Sequence, residues 1–265
     1  MNWHRSTAAL LCAVAITACD KNAVQVITAP AEGAYVRFAN FGLSAPAVNF
    51  YANDTKITAI STASCTPATD PRCTTTGIES ATGVAAGAYA IASGLYSSVA
   101  PGSYTLTGRI SAAVDKDLIV ARATTNLESG KYYTFYTSGT YSTAAKTVDA
   151  FVVEDPIPAA IDYTVALVRF VNAISNSNAG ALSVRNQATT TVTAIGGSVP
   201  YKSAGTFTPI PGGVYDLALI YPGLGVAGRT GVSFIPGRIY TVTSRGDVTA
   251  TTGASVPALD NTANR

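Results

Sequence analysis

The chain has 265 residues, of which 12 % are charged, and its net charge is only +2. This balance supplies neither the basic surface that nucleic acids require nor a strongly acidic surface for cations, so we expect no nucleic-acid partner. Threonine, valine and tyrosine, which favour strands, are abundant, whereas leucine, glutamate and lysine, which favour helices, are scarce. The composition therefore predicts an all-β protein.

Histidine is almost absent from the sequence. The single histidine, His4, lies in an N-terminal segment that we expect to be removed. The mature chain would then contain no imidazole, so Ser-His-Asp and Cys-His catalytic arrangements and His-ligated zinc sites could not form. We therefore predict a protein that is not an enzyme.

The N-terminus has the pattern of a bacterial secretion signal over residues 1–18. Arg5 supplies a basic start, and an apolar run over residues 7–16 follows that is too short to span a bilayer as a helix. The small Ala18 before Cys19 resembles a lipobox, which implies that Cys19 becomes the lipidated first residue of the mature chain. The alternative is plain cleavage after Ala18 and secretion.

A lipid on Cys19 would place the protein in the bacterial cell envelope, with the membrane as its partner through the anchor. Each buried CH₂ contributes roughly 0.8 kcal/mol, so two or three acyl chains hold firmly. Residues 19–33 then form a tether. With Cys12 in the signal, Cys65 and Cys73 remain, and an oxidising compartment favours a disulfide between them. Two thiols alone lack the other ligands of a metal site.

Short strands with alternating apolar and polar residues, separated by Pro-Gly and Asp or Asn turns, predict a β-sandwich over residues 34–154. The predicted strands cover residues 35–41, 47–52, 57–60, 95–99, 103–110, 118–124, 132–136 and 148–153. An insertion over residues 61–87, rich in small and hydroxylated residues, interrupts this module. Long loops of this kind are typically functional or mobile.

Three motifs recur later in the same order, which predicts one module used twice. The pairs are Val36-Arg37-Phe38-Ala39-Asn40 with Val168-Arg169-Phe170-Val171-Asn172, Pro101-Gly102 with Pro211-Gly212, and Gly130-Lys131-Tyr132-Tyr133-Thr134-Phe135 with Gly237-Arg238-Ile239-Tyr240-Thr241-Val242. We therefore predict a semi-rigid linker over residues 155–164, a second sandwich over residues 165–250 and a disordered tail over residues 251–265.

The motifs resemble the bacterial domain-of-unknown-function family 4397 (DUF4397), which lipobox-bearing envelope proteins carry once or in tandem. The likeness covers most of residues 34–250 and is clearer in the first module. It implies an architecture and an envelope location, and it brings no catalytic residues. Each module is also close in size to an immunoglobulin-like sandwich, although the Cys…Trp…Cys core of true immunoglobulin domains is absent.

Four residues are candidate ligand contacts. Arg37 and Arg169 occupy equivalent positions and could bind an anionic glycan, or instead pair with a carboxylate and cover the sheet with their aliphatic stems. Tyr132 and Tyr136 share one face of their strand. If exposed, they could stack on sugar rings or contact a protein partner, and otherwise a neighbouring segment covers this face.

Two further patterns carry little chemistry. Residues 223–228 read Gly-x-Gly-x-x-Gly after a strand, but no helix follows, so we expect a hairpin loop and no cofactor. Glu128, Glu154 and Asp155 could supply the paired carboxylates of a glycan hydrolase. Their predicted places at a turn and at a strand end suit solvated charges better.

The sequence therefore predicts an all-β fold with two tandem immunoglobulin-like β-sandwich domains after a lipoprotein signal peptide. The predicted function is non-enzymatic binding or scaffolding in the cell envelope, with an envelope protein or a glycan as the candidate partner. The alternatives are a carbohydrate-binding module and a glycan-acting hydrolase that uses paired carboxylates.

Overall fold

The computed structural model describes residues 33–58, 60–61, 73–74, 77–79, 83–90 and 96–264. Within these ranges the chain forms strands, turns and irregular segments and no helix. No described segment is therefore a helix that is long and apolar enough to cross a membrane. The predicted all-β fold is confirmed. The signal peptide, the tether with Cys19, and Cys65 lie outside the described residues, so lipidation and the Cys65–Cys73 disulfide stay predictions.

The first half of the chain contains twelve described strands. They are β1 (Ala34–Asn40), β2 (Val48–Ala52), β3 (Thr55–Lys56), β4 (Ile60–Ser61), β5 (Cys73–Thr74), β6 (Gly77–Glu79), β7 (Ala88–Tyr89), β8 (Ser97–Val99), β9 (Gly102–Ile110), β10 (Ile119–Leu127), β11 (Tyr132–Ser142) and β12 (Thr147–Asp155). Strands β4, β6 and β5 form a small separate sheet, so the predicted insertion has a secondary structure of its own.

The second half contains nine described strands. They are β13 (Val165–Asn172), β14 (Gly180–Asn186), β15 (Val192–Val199), β16 (Ser203–Ala204), β17 (Thr208–Pro211), β18 (Gly213–Tyr221), β19 (Gly225–Phe234), β20 (Ile239–Arg245) and β21 (Ala258–Ala263). The glycine-rich hairpin is confirmed, because β18 and β19 pair antiparallel on either side of the turn at residues 222–224.

Both halves are β-sandwiches of two sheets with the same strand order. The β1 sheet runs β12-β11-β1-β7 with β8 also on β1, and the β13 sheet runs β21-β20-β13-β16 with β17 also on β13. The β2 sheet runs β10-β9-β2-β3, and the β14 sheet runs β19-β18-β14-β15. In each half the first strand pairs parallel with the penultimate one. Apart from the small β4-β6-β5 sheet, the nine remaining strands of the first module therefore match the nine described strands of the second.

The repeated motif builds each sandwich core through the period of two in a strand. Val36 and Phe38 point into the first core, where the Phe38 ring stacks on Phe50 at 5.0 Å and lies 6.0 Å from Phe135. Phe170 takes the matching place in the second core. Burying such a side chain contributes roughly 1.5–3 kcal/mol.

The opposite faces of the β1 and β13 sheets pack against each other. A buried apolar cluster joins Phe41, Tyr136 and Phe151 of the first sandwich to Val171 and Ala173 of the second. Residues 33–265 consequently form one compact unit. The β1 and β13 sheets lie in its middle, and the β2 and β14 sheets lie outside them.

Two predicted boundaries are wrong. Asp155 is the buried last residue of β12 and does not belong to the linker, which begins at residue 156. The tail predicted to be disordered over residues 251–265 contains β21, which pairs antiparallel with β20. The second sandwich therefore extends beyond residue 250. An edge strand held by backbone hydrogen bonds leaves little hydrophobic pattern in the sequence.

Candidate functional site

The repeated arginines lie at the contact between the two sandwiches. The parallel register places Arg37 beside Thr134 and Arg169 beside Thr241. Arg37 Nε and Nη2 donate to Thr134 Oγ1 at 3.2 and 3.1 Å, and Arg169 Nε donates to Thr241 Oγ1 at 3.1 Å. Arg37 is 1 % exposed and Arg169 is fully buried, so both guanidinium groups are removed from water.

Within the part of the chain that the structure describes, a single carboxylate lies between these arginines. Asp155 Oδ1 accepts a hydrogen bond from Arg169 Nη2, and Asp155 Oδ2 lies 3.8 Å from Arg37 Nη2. Thr134 Oγ1 and the Tyr96 hydroxyl each donate to Oδ2 at 2.6 Å. Since arginine stays protonated in proteins, the three charged groups carry a net charge of about +1.

Asn264 occupies the matching position of the second sandwich. Its backbone N–H donates to Ile239 O at the end of the β20–β21 ladder. In the first sandwich the equivalent pair is Asp155 and Tyr132, at the end of the β11–β12 ladder. Thr241 Oγ1 donates to Asn264 Oδ1 at 2.8 Å, as its counterpart does to Asp155. Asn264 Nδ2 donates to the Tyr96 hydroxyl at 2.8 Å, so this hydroxyl bridges the two equivalent side chains.

The arginines also reach across the interface reciprocally. Arg37 Nη1 donates to Ala263 O at 3.4 Å, and Arg169 Nη1 donates to Glu154 O at 2.9 Å. Each acceptor immediately precedes the matching residue of its own sandwich, Glu154 before Asp155 and Ala263 before Asn264. The contact therefore has approximate two-fold symmetry, the arrangement of a self-complementary dimer interface within one chain.

Aromatic rings cover both guanidinium groups. The Arg37 guanidinium lies 5.1 Å from the Tyr89 ring centre and 4.9 Å from the Tyr96 ring centre, and that of Arg169 lies 5.1 Å from the Phe207 ring centre. Desolvated contacts of this kind contribute about 2 kcal/mol. These ring contacts stabilise the guanidinium charges in a way that needs no counter-ion.

Burial controls protonation in this cluster. It lowers the pKa of the Arg169 guanidinium, and it raises the pKa of the Tyr89 and Tyr96 hydroxyls. The charge of Arg37 opposes the increase in the pKa of Tyr96 but does not cancel it. The hydroxyls therefore stay neutral, so neither supplies a second negative charge.

The sequence-predicted ligand contacts have different surroundings. Tyr136 is fully buried, with its ring stacked on Phe151 at 5.1 Å. Tyr132 is half-buried, stacked on Tyr35 at 4.6 Å and edge-on to Tyr96 at 5.1 Å. A ligand could contact Tyr136 or either arginine only if the sandwiches separated. Ligand contact therefore stays a prediction for all four residues, and of the two tyrosines only Tyr132 retains accessible surface.

The candidate acid–base carboxylates do not all come together. Glu128 and Glu154 lie near the surface on either side of Lys131, whose Nζ is 3.0 Å from Glu128 Oε2 and 3.4 Å from Glu154 Oε2. The two glutamates raise the pKa of Lys131, mainly through the Glu128 hydrogen bond. Asp155 is instead buried in the interface. Among the described residues, no group of three or more His, Cys, Asp and Glu side chains could hold a metal ion.

Sequence reasoning missed several residues of this cluster. Thr134 and Thr241 carry a signal, because both belong to the repeated Gly-x-x-Tyr-Thr motif. Asn264 lies in a stretch with low apolar content, and Tyr96 lies outside every repeated motif. Neither of these two positions could be recognised without the tertiary contact that places them together.

Cavities also lie outside the cluster. One, of about 710 Å³, opens beside the β14–β15 turn of the second sandwich, where Asn186 Oδ1 accepts hydrogen bonds from the N–H groups of Ala188 and Thr189. Another, of about 270 Å³, lies at the seam between the sandwiches and is lined by Phe41 and Arg245. Arg245 pairs there with Asp260 through Nε.

No protein-family model and no curated protein matches this chain. Among solved structures, the chain is similar to a leucine-rich repeat protein from Bacteroides thetaiotaomicron, with 12 % identity and a TM-score of 0.22. The match covers 83 % of this chain and 27 % of that one. A TM-score this low supports no argument. The class of protein is therefore described by its fold and site: a pair of equivalent β-sandwiches joined through a buried ionic cluster.

Proposed function

We propose that this chain is a non-enzymatic, lipid-anchored protein of the bacterial cell envelope whose paired sandwiches act as one rigid binding or scaffolding unit. The observation that supports this proposal is that the arginines of the repeated motif lie buried between the sandwiches. Arg37 and Arg169 contact Asp155 between the sandwiches, so their charge serves docking. On the resemblance of the motifs, we include both sandwiches in DUF4397 as part of this proposal.

Rigidity follows from the composition of the contact. Domains of one chain move relative to each other unless their interface is large and apolar. Here an aromatic and aliphatic cluster around Tyr136 and Phe151 adjoins the buried ionic group. A unit of this kind holds the outer surfaces of both sandwiches in a fixed relation. This suits a scaffold better than two sandwiches that move independently of each other.

The anchor is tested by the state of Cys19. We expect the full-length precursor, expressed in a lipoprotein-processing bacterium fed an alkyne fatty acid, to incorporate the label and to sediment with membranes. Cys19→Ala should lose both properties, whereas Cys12→Ala in the signal should keep both. A labelled Cys19→Ala variant, or an unlabelled and soluble wild type, would refute the anchor.

Binding is tested with Tyr132 as the probe, because this ring is half-buried and not enclosed. We expect a glycan array, together with cross-linking in intact cells, to give a signal that Tyr132→Ala weakens. Val114→Ala, at an exposed apolar side chain outside the repeated motifs, is the control and should not weaken the signal. An unchanged signal in Tyr132→Ala would exclude this ring as a contact.

Glycan hydrolysis is the second candidate, because Glu128 and Glu154 lie together near the surface around Lys131. Paired carboxylates are what this reaction requires. Incubation with peptidoglycan and polysaccharides, followed by product analysis, separates the two proposals. We expect no products from wild type. Turnover that Glu128→Gln abolishes would establish the hydrolase and overturn the non-enzymatic proposal.

A further inference from the structure

We infer that Asn264 occupies the position of a second interface carboxylate, so that the docked sandwiches enclose one guanidinium charge more than they neutralise. On this inference, how firmly the sandwiches dock depends on the number of carboxylates at positions 155 and 264 together. It does not depend on which of the two positions carries the acid. This inference goes beyond the proposed function, because it concerns the pairing of the sandwiches and not what they bind.

The equivalence of the two positions rests on backbone register and on side-chain partners. Each residue ends the ladder between the last two strands of its sandwich. Each accepts a hydrogen bond from the threonine beside its own sandwich's arginine, Thr134 for Asp155 and Thr241 for Asn264. Each follows the residue whose carbonyl accepts from the arginine of the other sandwich.

The charges do not follow this symmetry. Arg169 Nη2 bonds directly to Asp155, whereas Arg37 Nη2 is 3.8 Å from the same carboxylate. Within the described residues, Asp155 is the carboxylate in ion-pair contact with either guanidinium. The other described groups that contact the two guanidinium groups are threonine hydroxyls, backbone carbonyls and aromatic rings, all of them neutral. A buried charge without its own counter-charge destabilises the contact that encloses it.

Tyr96 explains how the amide is accommodated at position 264. Its hydroxyl donates to Asp155 Oδ2 and accepts from Asn264 Nδ2. A hydroxyl has one proton to donate, so one acid and one amide satisfy this bridge completely. Exchanging Asp and Asn between the two positions reverses the direction of the two hydrogen bonds that the Tyr96 hydroxyl makes to them and preserves their number.

The exchange provides the decisive experiment. Asp155→Asn removes the carboxylate from both arginines, and we expect the Tm to fall by about 10 °C or more. We expect the double variant Asp155→Asn/Asn264→Asp to recover most of that loss. Small-angle scattering should show Asp155→Asn as more extended than wild type and the double variant as compact. A double variant that is as destabilised as Asp155→Asn, or still extended, would overturn the inference.

Two further variants complete the test. Asn264→Asp alone brings the carboxylates to two, although the Tyr96 hydroxyl can then donate to only one of them. We expect the second counter-charge to outweigh this lost hydrogen bond and to raise the Tm by about 2–4 °C. An unchanged or lower Tm would overturn the claim of an uncompensated charge. Asp216→Asn is the matched control, because Asp216 lies 3.8 Å from the exposed Arg185, and we expect a change of less than about 2 °C. If Asp155→Asn does not fold, a folded double variant supports the inference and an unfolded one refutes it.

Discussion

The first and second sandwiches are alike inside and different where they meet. In the first, the Tyr133 hydroxyl accepts a hydrogen bond from the backbone N–H of Glu128, and in the second Tyr240 accepts one from Ile235, at the same separation along the chain. The glycine between them, Gly130 or Gly237, has a φ of 75° in both. Each half therefore repeats its local structure in detail.

The contact surfaces do not repeat in this way. The first sandwich has Asp155 where the second has Asn264. Tyr89, which pairs with Ala39, and Ala204, which pairs with Val171, occupy equivalent positions. Tyr89 covers Arg37, whereas Ala204 has no ring to offer Arg169. The comparison teaches that two modules can keep the same strands and turns, while two copies that dock in one chain can divide the interface residues unequally.

The largest effect tests the likeness of the interiors. We expect Phe38→Ala and Phe170→Ala each to lower the free energy of unfolding by about 3–5 kcal/mol, because each deletes a buried ring and leaves a cavity. Chemical denaturation should place both losses in this range, since both rings are fully buried at equivalent positions. Markedly unequal losses would break the equivalence of the cores.

The next effect tests the unequal interface. Arg169→Met should cost about 3–4 kcal/mol of unfolding free energy, because it breaks the direct pair with Asp155. Arg37→Met should cost roughly half as much or less, because it also removes the uncompensated charge. The exposed Arg185 provides the control, and Arg185→Met should cost less than about 1 kcal/mol. Equal losses for the two buried arginines would contradict the asymmetry.

A smaller effect separates two glycines with the same backbone conformation. Gly130→Ala should cost about 1–2 kcal/mol for the left-handed conformation alone, because a Cβ there meets nothing within 4 Å. Gly237→Ala should cost more, because its Cβ would lie 2.7 Å from Cδ1 of Tyr163. In a Tyr163→Ala background, thermal unfolding should show the two losses becoming equal. A difference that persists there would exclude the ring as its cause.

The smallest effect concerns pH and the rim of the interface. Burial alone would raise the pKa of Asp149, but hydrogen bonds from Lys202 and Tyr201 of the other sandwich outweigh burial and lower it. A carboxyl with a lowered pKa in the folded state stabilises that state above its unfolded pKa of about 4, and this contribution is lost as the pH falls through the folded value.

Stability measured across this acid range checks the sign. Wild type should lose more stability than Asp149→Asn as the pH falls below about 4, because the variant has no carboxylate to protonate. Ser138 contacts the same Tyr201 hydroxyl and carries no charge, so Ser138→Ala should keep the wild-type pH dependence. Parallel curves for wild type and Asp149→Asn would show that this ion pair does not contribute.

Much of the fold could be predicted from local pattern. The alternation in Val36-Arg37-Phe38 placed the core face correctly, and Pro-Gly before Tyr104 and Tyr215 marked the starts of β9 and β18. Edge strands were harder. Strand β21 was missed because Leu259 is its one large apolar side chain, and hydrogen bonds to β20 hold the rest of the strand.

The candidate site was only partly predictable. The sequence left Arg37 and Arg169 with two interpretations, and pairing with a carboxylate is the one that the structure contains. It did not indicate that both arginines share Asp155, which was predicted as a solvated charge at a linker. The environment of that carboxylate depends on a second sandwich that packs over it, which periodicity in a single strand does not report.

By itself, the sequence determined that this protein is a β-sandwich built twice, because strand alternation and turn chemistry act over a few residues and recur with the motif. Only the tertiary structure decided that the two copies dock through their β1 and β13 sheets, and that Asp155 and Asn264 divide one role between an acid and an amide. The physical reason is that a buried charge is balanced by whatever lies nearest in space. For Arg37, that neighbourhood includes Ala263 and Thr134, which lie far from it along the chain.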